Sequence, residues 1–155
     1  MAIWINGAFG VGKSSVTRVL QERIPDAVVA DPERIGWVMK RTFWRGQDYQ
    51  DVALWRRLTV RQVARADAKG TAIVPMTVVA RELFEELTKD TTVFALVAER
   101  ATIEARIAGA PDAHEWRRAN LDRCLAAFAD DSFGTRIHTD GLTPEQVADE
   151  ILSRL

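Results

Sequence analysis

The amino-acid sequence predicts a single α/β domain, spanning residues 1–155, in which helices cover both faces of a parallel sheet. Short apolar runs of strand length alternate along the chain with longer segments whose apolar residues recur at helical spacing. This alternation is typical of parallel strands joined by helical crossovers. A glycine-rich stretch lies between the first apolar run and the first helical segment. The five predicted strands cover residues 2–5, 27–30, 72–74, 93–97 and 135–138.

Proline, glycine and capping residues set the boundaries of the predicted helices. Pro25 ends the first helix, and a long helix over about residues 49–69 ends before a glycine. Thr143 and Gln146 form a predicted capping box at the last helix, with Pro144 at the first helical position. The remaining predicted helices cover about residues 33–41, 81–87, 102–107 and 115–128.

Composition limits the classes of function. The chain is 47% hydrophobic and 28% charged, as in globular proteins, and its net charge of −1 argues against generic nucleic-acid binding. The single cysteine, Cys124, forms no internal disulfide and suits a reducing compartment. The sequence has no secretory signal and no apolar stretch of membrane-spanning length, so we expect a soluble, cytoplasmic protein.

The glycine-rich stretch matches the complete phosphate-binding pattern G-x-x-x-x-G-K-[ST]. Its glycines let backbone N–H groups turn toward nucleotide phosphates, Lys13 reaches the β- and γ-phosphates, and the Ser14 hydroxyl ligates magnesium. We therefore expect ATP and Mg²⁺ as cofactors. The segment Thr88-Lys89-Asp90-Thr91 departs from the guanine-reading pattern of GTPases, which favours adenine. The predicted ATP-binding residues are Gly7, Ala8, Phe9, Gly10, Val11, Gly12, Lys13, Ser14 and Ser15.

Two polar residues follow predicted strands, where the carboxyl ends of parallel strands form a ligand crevice. Asp31 directly follows the second strand and is either a catalytic base for an acceptor hydroxyl or the cap of the next helix. The third strand lacks the acidic residue that usually follows it in phosphate-loop proteins. Thr77 stands there instead, either as an outer-shell partner of magnesium or as a helix cap.

Arginines cluster in the later part of the chain, around a loop at residues 109–112. Arg106 and Arg123 flank this loop, and we expect both, with Lys13, to stabilise charge on the transferred phosphoryl group. The alternative for each arginine is a solvated helix face. The pattern predicts a lid over about residues 105–125.

The segment between the second and third strands, residues 31–57, combines aromatic and basic side chains. Its tryptophans, including Trp44, either stack on a ring-bearing acceptor or belong to the core, and its arginines supply planar donors. We expect this segment to bind a small-molecule acceptor. The predicted acceptor-binding residues are Trp37, Trp55, Arg56 and Thr77.

Short fragments spread in order along the chain carry a resemblance to a known family. They are Ile3-Trp4-Ile5-Asn6-Gly7-Ala8-Phe9-Gly10, Asp31-Pro32-Glu33, Leu54-Trp55-Arg56, Ile73-Val74-Pro75-Met76-Thr77, Trp116, Leu121-Asp122-Arg123-Cys124 and His138-Thr139-Asp140. Together they resemble the tunicamycin-resistance (TmrB-like) ATP-binding proteins. The resemblance implies a P-loop fold of the nucleotide and shikimate kinase type, ATP binding, and a role in resistance to a nucleoside antibiotic. It also supports Asp31, Arg106 and Arg123 as active-site residues.

The motif and the resemblance together predict an ATP-dependent phosphotransferase acting on a hydroxyl of a small nucleoside-like antibiotic. A uridine-containing drug such as tunicamycin fits the aromatic and basic acceptor segment. Two alternatives stay open at this point. One is a protein that sequesters the drug and uses ATP only to order its site, and the other is a slow regulatory ATPase.

Overall fold

The computed structural model describes the backbone of residues 1–42, 48–109 and 114–155, and their side chains except those of 114–118. Within these residues the chain forms a five-stranded parallel sheet, as the sequence predicts. The strands are β1 (Ala2–Gly7), β2 (Val28–Val29), β3 (Ala72–Pro75), β4 (Thr92–Val97) and β5 (Thr135–His138). The strand order is β2-β3-β1-β4-β5, which places β1 at the centre of the sheet.

Helices cover both faces of this sheet; all but the last lie between successive strands, and the last follows β5. The predicted capping box is present at the last helix, where the Thr143 side chain accepts from the backbone N–H of Gln146. The helices are α1 (Lys13–Arg23), α2 (Pro32–Thr42), α3 (Ala53–Asp67), α4 (Arg81–Thr88), α5 (Arg100–Ala108), α6 (His114–Ala127) and α7 (Pro144–Leu152). Within the described part of the chain, none of the helices combines the length and apolar character that crossing a membrane requires.

Strand β1 is buried along its whole length and divides the core into two layers. Trp4 belongs to the layer that contains Trp55 of α3. Ile3 and Ile5 point to the opposite face, where they join the layer formed with α1 and α7. Because both faces of the central strand are covered, its sequence is apolar without alternation. The carboxyl ends of β1 and β3 meet at Gly7 and the residues after Pro75.

The long helix predicted over residues 49–69 is shorter than expected. The Asp48 carboxylate accepts from the backbone N–H of Gln50 and caps a separate 3-10 turn, Tyr49–Asp51. Val52 then adopts an extended conformation, with φ −89° and ψ 117°, so α3 begins at Ala53. A second 3-10 turn, Asp131–Phe133, precedes β5 and was not predicted. Trp44 and most of the predicted loop at residues 109–112 lie outside the described residues.

Candidate nucleotide and acceptor sites

The loop between β1 and α1 (residues 7–14, the phosphate loop) turns through three glycines with positive φ. The φ angles of Gly7, Gly10 and Gly12 are 132°, 82° and 111°, a region that other residues rarely adopt. Space is also restricted, since a Cβ at Gly10 would lie 2.7 Å from Cγ1 of Ile107. The sequence pattern and the backbone geometry therefore agree at Gly7 and Gly12, and Gly10 adds a third positive φ at a position that the pattern leaves open.

Lys13 begins α1, and its ammonium lies inside the phosphate loop. Only 9% of the residue is exposed, although it carries a charge. Its Nζ donates to the carbonyl oxygens of Gly7 and Ala8, each at 2.9 Å, and lies 5.5 Å from the centre of the Phe9 ring. These carbonyls compensate for burial of the charge and hold it where an anion entering the loop would meet it.

Side chains bond both backbone polar groups of Gly7, the first residue of the phosphate loop. Asn6 is fully buried, and its Oδ1 accepts from the N–H groups of Gly7 and Val78, each at 2.9 Å. The Asn6 Nδ2 donates to the Val78 carbonyl at 3.1 Å. Thr77 Oγ1 donates to the Gly7 carbonyl at 2.8 Å. Thr77 therefore does not cap α4, which begins only at Arg81, and it links the end of β3 to the phosphate loop.

Asp31 lies between β2 and α2, separated from the end of the strand by one residue (Ala30) and directly before the helix. Its Oδ1 accepts from the backbone N–H of Glu33 at 3.0 Å, which is the capping contact predicted as the alternative to a catalytic role. The residue also lines a cavity of about 330 Å³, together with Glu33, Arg34, Trp37 and Val38. Capping engages one carboxylate oxygen, so it is compatible with a role in proton transfer.

The structure separates the predicted acceptor-binding residues into exposed and internal ones. Trp37 is 59% exposed, and the Arg41 guanidinium lies 5.0 Å from its ring centre. Trp55 is fully buried, and its Nε1 donates to the Pro32 carbonyl at 3.0 Å. A buried indole cannot stack on a ligand, which corrects the role expected for Trp55.

Arg56, another predicted acceptor-binding residue, is engaged within the protein. Its Nε donates to the Gln50 carbonyl at 2.9 Å, and its Nη1 lies 3.4 Å from Oε2 of Glu86. These contacts hold the 3-10 turn against α3 and α4. These contacts orient the half-buried Arg56 side chain, and its contact with the acceptor stays a prediction.

Arg106 joins the phosphate loop to the residues after β5. Its Nη1 donates to the Val11 carbonyl at 2.9 Å and to Thr139 Oγ1 at 3.0 Å. Its Nη2 donates to the Thr139 carbonyl at 3.0 Å. A cavity of about 420 Å³ opens beside these contacts, lined by residues that include Gly12, Ser15, Arg106, Thr139 and Leu142.

Helix α6 packs against the phosphate loop through Cys124, which is 1% exposed. Burial raises the pKa of the Cys124 thiol, and the charge of Lys13, the backbone N–H of Phe9 and the charge of Arg123 offset part of this effect. Arg123 itself is exposed. The two predicted lid arginines therefore differ, since Arg106 is anchored by three hydrogen bonds and Arg123 faces solvent.

Comparison with solved structures shows clear sequence similarity to a tunicamycin resistance protein. No protein-family model matches the chain, and no curated protein matches it. The structure of the tunicamycin resistance protein of Deinococcus radiodurans is 30% identical, with a TM-score of 0.79, over 99% of this chain and 94% of that one. The chain belongs to the tunicamycin resistance protein family.

Two kinases show the same fold as this tunicamycin resistance family member at lower identity. A sugar kinase from Janibacter sp. has a TM-score of 0.71 at 20% identity, over 98% of this chain and 92% of that chain. The shikimate kinase of Aquifex aeolicus has a TM-score of 0.61 at 19% identity, over 99% of this chain and 95% of that chain. The predicted fold, a parallel sheet of the kinase P-loop type, is thereby confirmed.

Two residues of this tunicamycin resistance family member were not predicted as part of the site. Asn6 is a polar residue at the end of an otherwise apolar strand, a signal that marks it for a buried hydrogen-bonding role. Gln50 donates from Nε2 to the Thr77 carbonyl at 3.3 Å, across 27 positions of the sequence. No local pattern indicates that contact, because it depends on how the segment between β2 and β3 folds back.

Proposed function

We propose that the chain is an ATP-dependent phosphotransferase that acts on a hydroxyl of a small nucleoside-like antibiotic. The position of Lys13 carries this proposal, since two loop carbonyls hold its ammonium inside a loop built on three positive-φ glycines. Such a loop binds the phosphates of a nucleotide through backbone N–H groups and a lysine. The kinase fold of the structural neighbours supports the same class of enzyme.

The residues of the phosphate loop fit ATP and magnesium. A side chain at Gly7 would place its Cβ 2.5 Å from the Leu96 carbonyl oxygen, so the loop leaves only glycine-sized space there. Ser14 is exposed in the first turn of α1, where its hydroxyl would ligate magnesium. The cavity beside Arg106 and Thr139 adjoins the loop at Gly12 and Ser15 and would hold the adenine base. When bound, ATP with magnesium supplies the phosphoryl group and neutralises part of its charge.

Asp31 is the proposed base on the acceptor side. As the acceptor oxygen bonds to the γ-phosphorus and the bond to the leaving ADP oxygen breaks, the hydroxyl proton passes to the Asp31 carboxylate. Lys13 stabilises the negative charge on the phosphoryl oxygens. Arg123, exposed on the helix that packs against the loop, is proposed to add a second positive charge.

The acceptor is proposed to lie in the cavity beside Asp31. Trp37 offers an exposed ring next to that carboxylate, and Arg34 contributes a planar donor. Such a surface suits a ring with polar substituents, as in a uridine-containing antibiotic. The family relative is a tunicamycin resistance protein, which supports tunicamycin as the first acceptor to test.

Incubation with ATP, magnesium and tunicamycin, followed by mass spectrometry of the drug, tests this proposal. We expect the drug to gain one phosphoryl group with the wild-type protein and none with Lys13→Ala. Drug that binds without a mass gain would replace phosphoryl transfer with sequestration. ATP hydrolysis at the same rate with and without drug would favour a regulatory ATPase.

A further inference from the structure

The 3-10 turn Tyr49–Asp51 lies between the acceptor side of the site and the phosphate loop. The Tyr49 ring packs so closely on α2 that a Cβ at Gly36 would lie 2.6 Å from it. Its centre is 5.4 Å from that of the Trp55 ring. Burial, with the negative charges of Glu33, Asp48 and Asp31, raises the pKa of Tyr49. The turn is therefore fixed beside the proposed base.

Gln50, in the middle of this turn, is fixed through its own backbone. Its N–H donates to the Asp48 carboxylate at 2.9 Å, and its carbonyl accepts from Arg56 Nε at 2.9 Å. The side chain then extends away from the turn, and its Nε2 donates to the Thr77 carbonyl at 3.3 Å. Gln50 thus connects the acceptor segment to the end of β3.

The hydrogen bonds continue from Thr77 to the phosphate-binding lysine. Thr77 Oγ1 donates to the Gly7 carbonyl at 2.8 Å, and the same oxygen accepts from Lys13 Nζ at 2.9 Å. Thr77 is 3% exposed, so these contacts are shielded from competing water. A displacement of Thr77 would therefore move one of the two carbonyls that position the Lys13 ammonium.

We infer that Gln50 and Thr77 are positioning residues that connect the turn beside Asp31 to Lys13 through the Gly7 carbonyl. This inference rests on the proposed function, because it assumes that Lys13 binds ATP. Both residues act through the Gly7 carbonyl, so this role requires no contact of their own with the phosphates. Changes at Gln50 should therefore alter ATP affinity, although Gln50 belongs to the acceptor segment.

Calorimetric titration of ATP with magnesium, without any acceptor, tests this inference in Gln50→Leu, Thr77→Val and the double variant. We expect each single variant to bind ATP about fivefold more weakly, the effect of losing one neutral hydrogen bond. Since both residues act through one chain of contacts, the double variant should bind no more weakly than the weaker single variant. Thr77→Ser keeps the hydroxyl and should restore most of the affinity.

Gln62→Leu is the matched control. Gln62 Nε2 also donates to a backbone carbonyl, that of Asp31 at 3.4 Å, but this contact does not lead to Gly7. We expect its ATP affinity to equal that of the wild type. If Gln50→Leu weakened ATP binding only through a general loss of packing, Gln62→Leu would weaken ATP binding to a similar extent, and that result would contradict the inference.

Wild-type affinity in a folded Gln50→Leu protein would overturn the inference and leave the proposed function intact. So would an additive double variant, about 25-fold weaker than the wild type. If Gln50→Leu does not fold, Thr77→Val compared with Thr77→Ser decides instead, and equal ATP affinities in that pair would overturn the inference. A wild-type protein that binds no ATP would reject the proposed function and this inference with it.

Discussion

Replacement of Asn6 by alanine should destabilise the fold more than any exposed substitution, because Asn6 satisfies several buried backbone groups at once. Its side chain bonds the N–H groups of Gly7 and Val78 and the carbonyl of Val78, at 2.9–3.1 Å. A further contact to the Phe133 carbonyl, at 3.4 Å, is long and contributes little. Three buried backbone groups would lose their partner, each at a cost of about 1–1.5 kcal/mol, or about 3–4.5 kcal/mol in total.

Urea denaturation followed by circular dichroism measures this loss as a difference in the free energy of unfolding. The expected change is a large part of the total stability of a domain of this size, about 5–15 kcal/mol. Ser153→Ala is the control, since it removes a hydrogen bond to the Glu150 carbonyl at an exposed site and should cost less than about 0.5 kcal/mol. A loss below about 1 kcal/mol for Asn6→Ala would refute the reasoning, because the orphaned groups would then have found other partners.

Three further predictions concern the two proposed pockets. Asp31→Asn keeps a side-chain oxygen that can cap α2 but loses the carboxylate base. Steady-state turnover should therefore fall about a hundredfold while ATP affinity stays unchanged. Full turnover in this variant would show that Asp31 serves only as a helix cap. Arg106→Ala removes the three contacts that join Val11 to Thr139, and calorimetry should show ATP affinity at least about tenfold lower. Unchanged affinity would exclude the adjoining cavity as the base site. We expect tunicamycin to quench the tryptophan fluorescence of the wild type, and Trp37→Ala should abolish this quenching. Quenching that persists in the variant would place the acceptor elsewhere.

The fold could be predicted from the sequence because its signals are local. Strand β1 begins with the continuous apolar run of residues 2–5 and ends at Gly7, the first residue of the phosphate loop. The capping box at Thr143 likewise depends on residues three positions apart. Signals of this kind depend on neighbouring residues, and the structure has a strand, a loop and a helix where the sequence indicates them.

The contacts around the phosphate loop could not be predicted in this way, because they join distant parts of the chain. Arg106 and Val11 are 95 positions apart, and Asn6 and Phe133 are 127 apart. Trp55 shows a different limit. Trp55, Thr59 and Val63 recur at helical spacing, and the structure places all three in the interior. The sequence left the tryptophans of this segment open between stacking on the acceptor and the core, and for Trp55 the structure supports the core.

The central claim is that the loop at residues 7–14 holds ATP through Lys13, and calorimetric titration of ATP with magnesium tests it most directly. Lys13→Ala removes the ammonium that bonds the Gly7 and Ala8 carbonyls and leaves the three glycines in place. We expect the wild type to bind ATP and a folded Lys13→Ala variant, checked by its urea midpoint, to show no measurable binding. ATP binding of wild-type affinity in that variant would contradict the account.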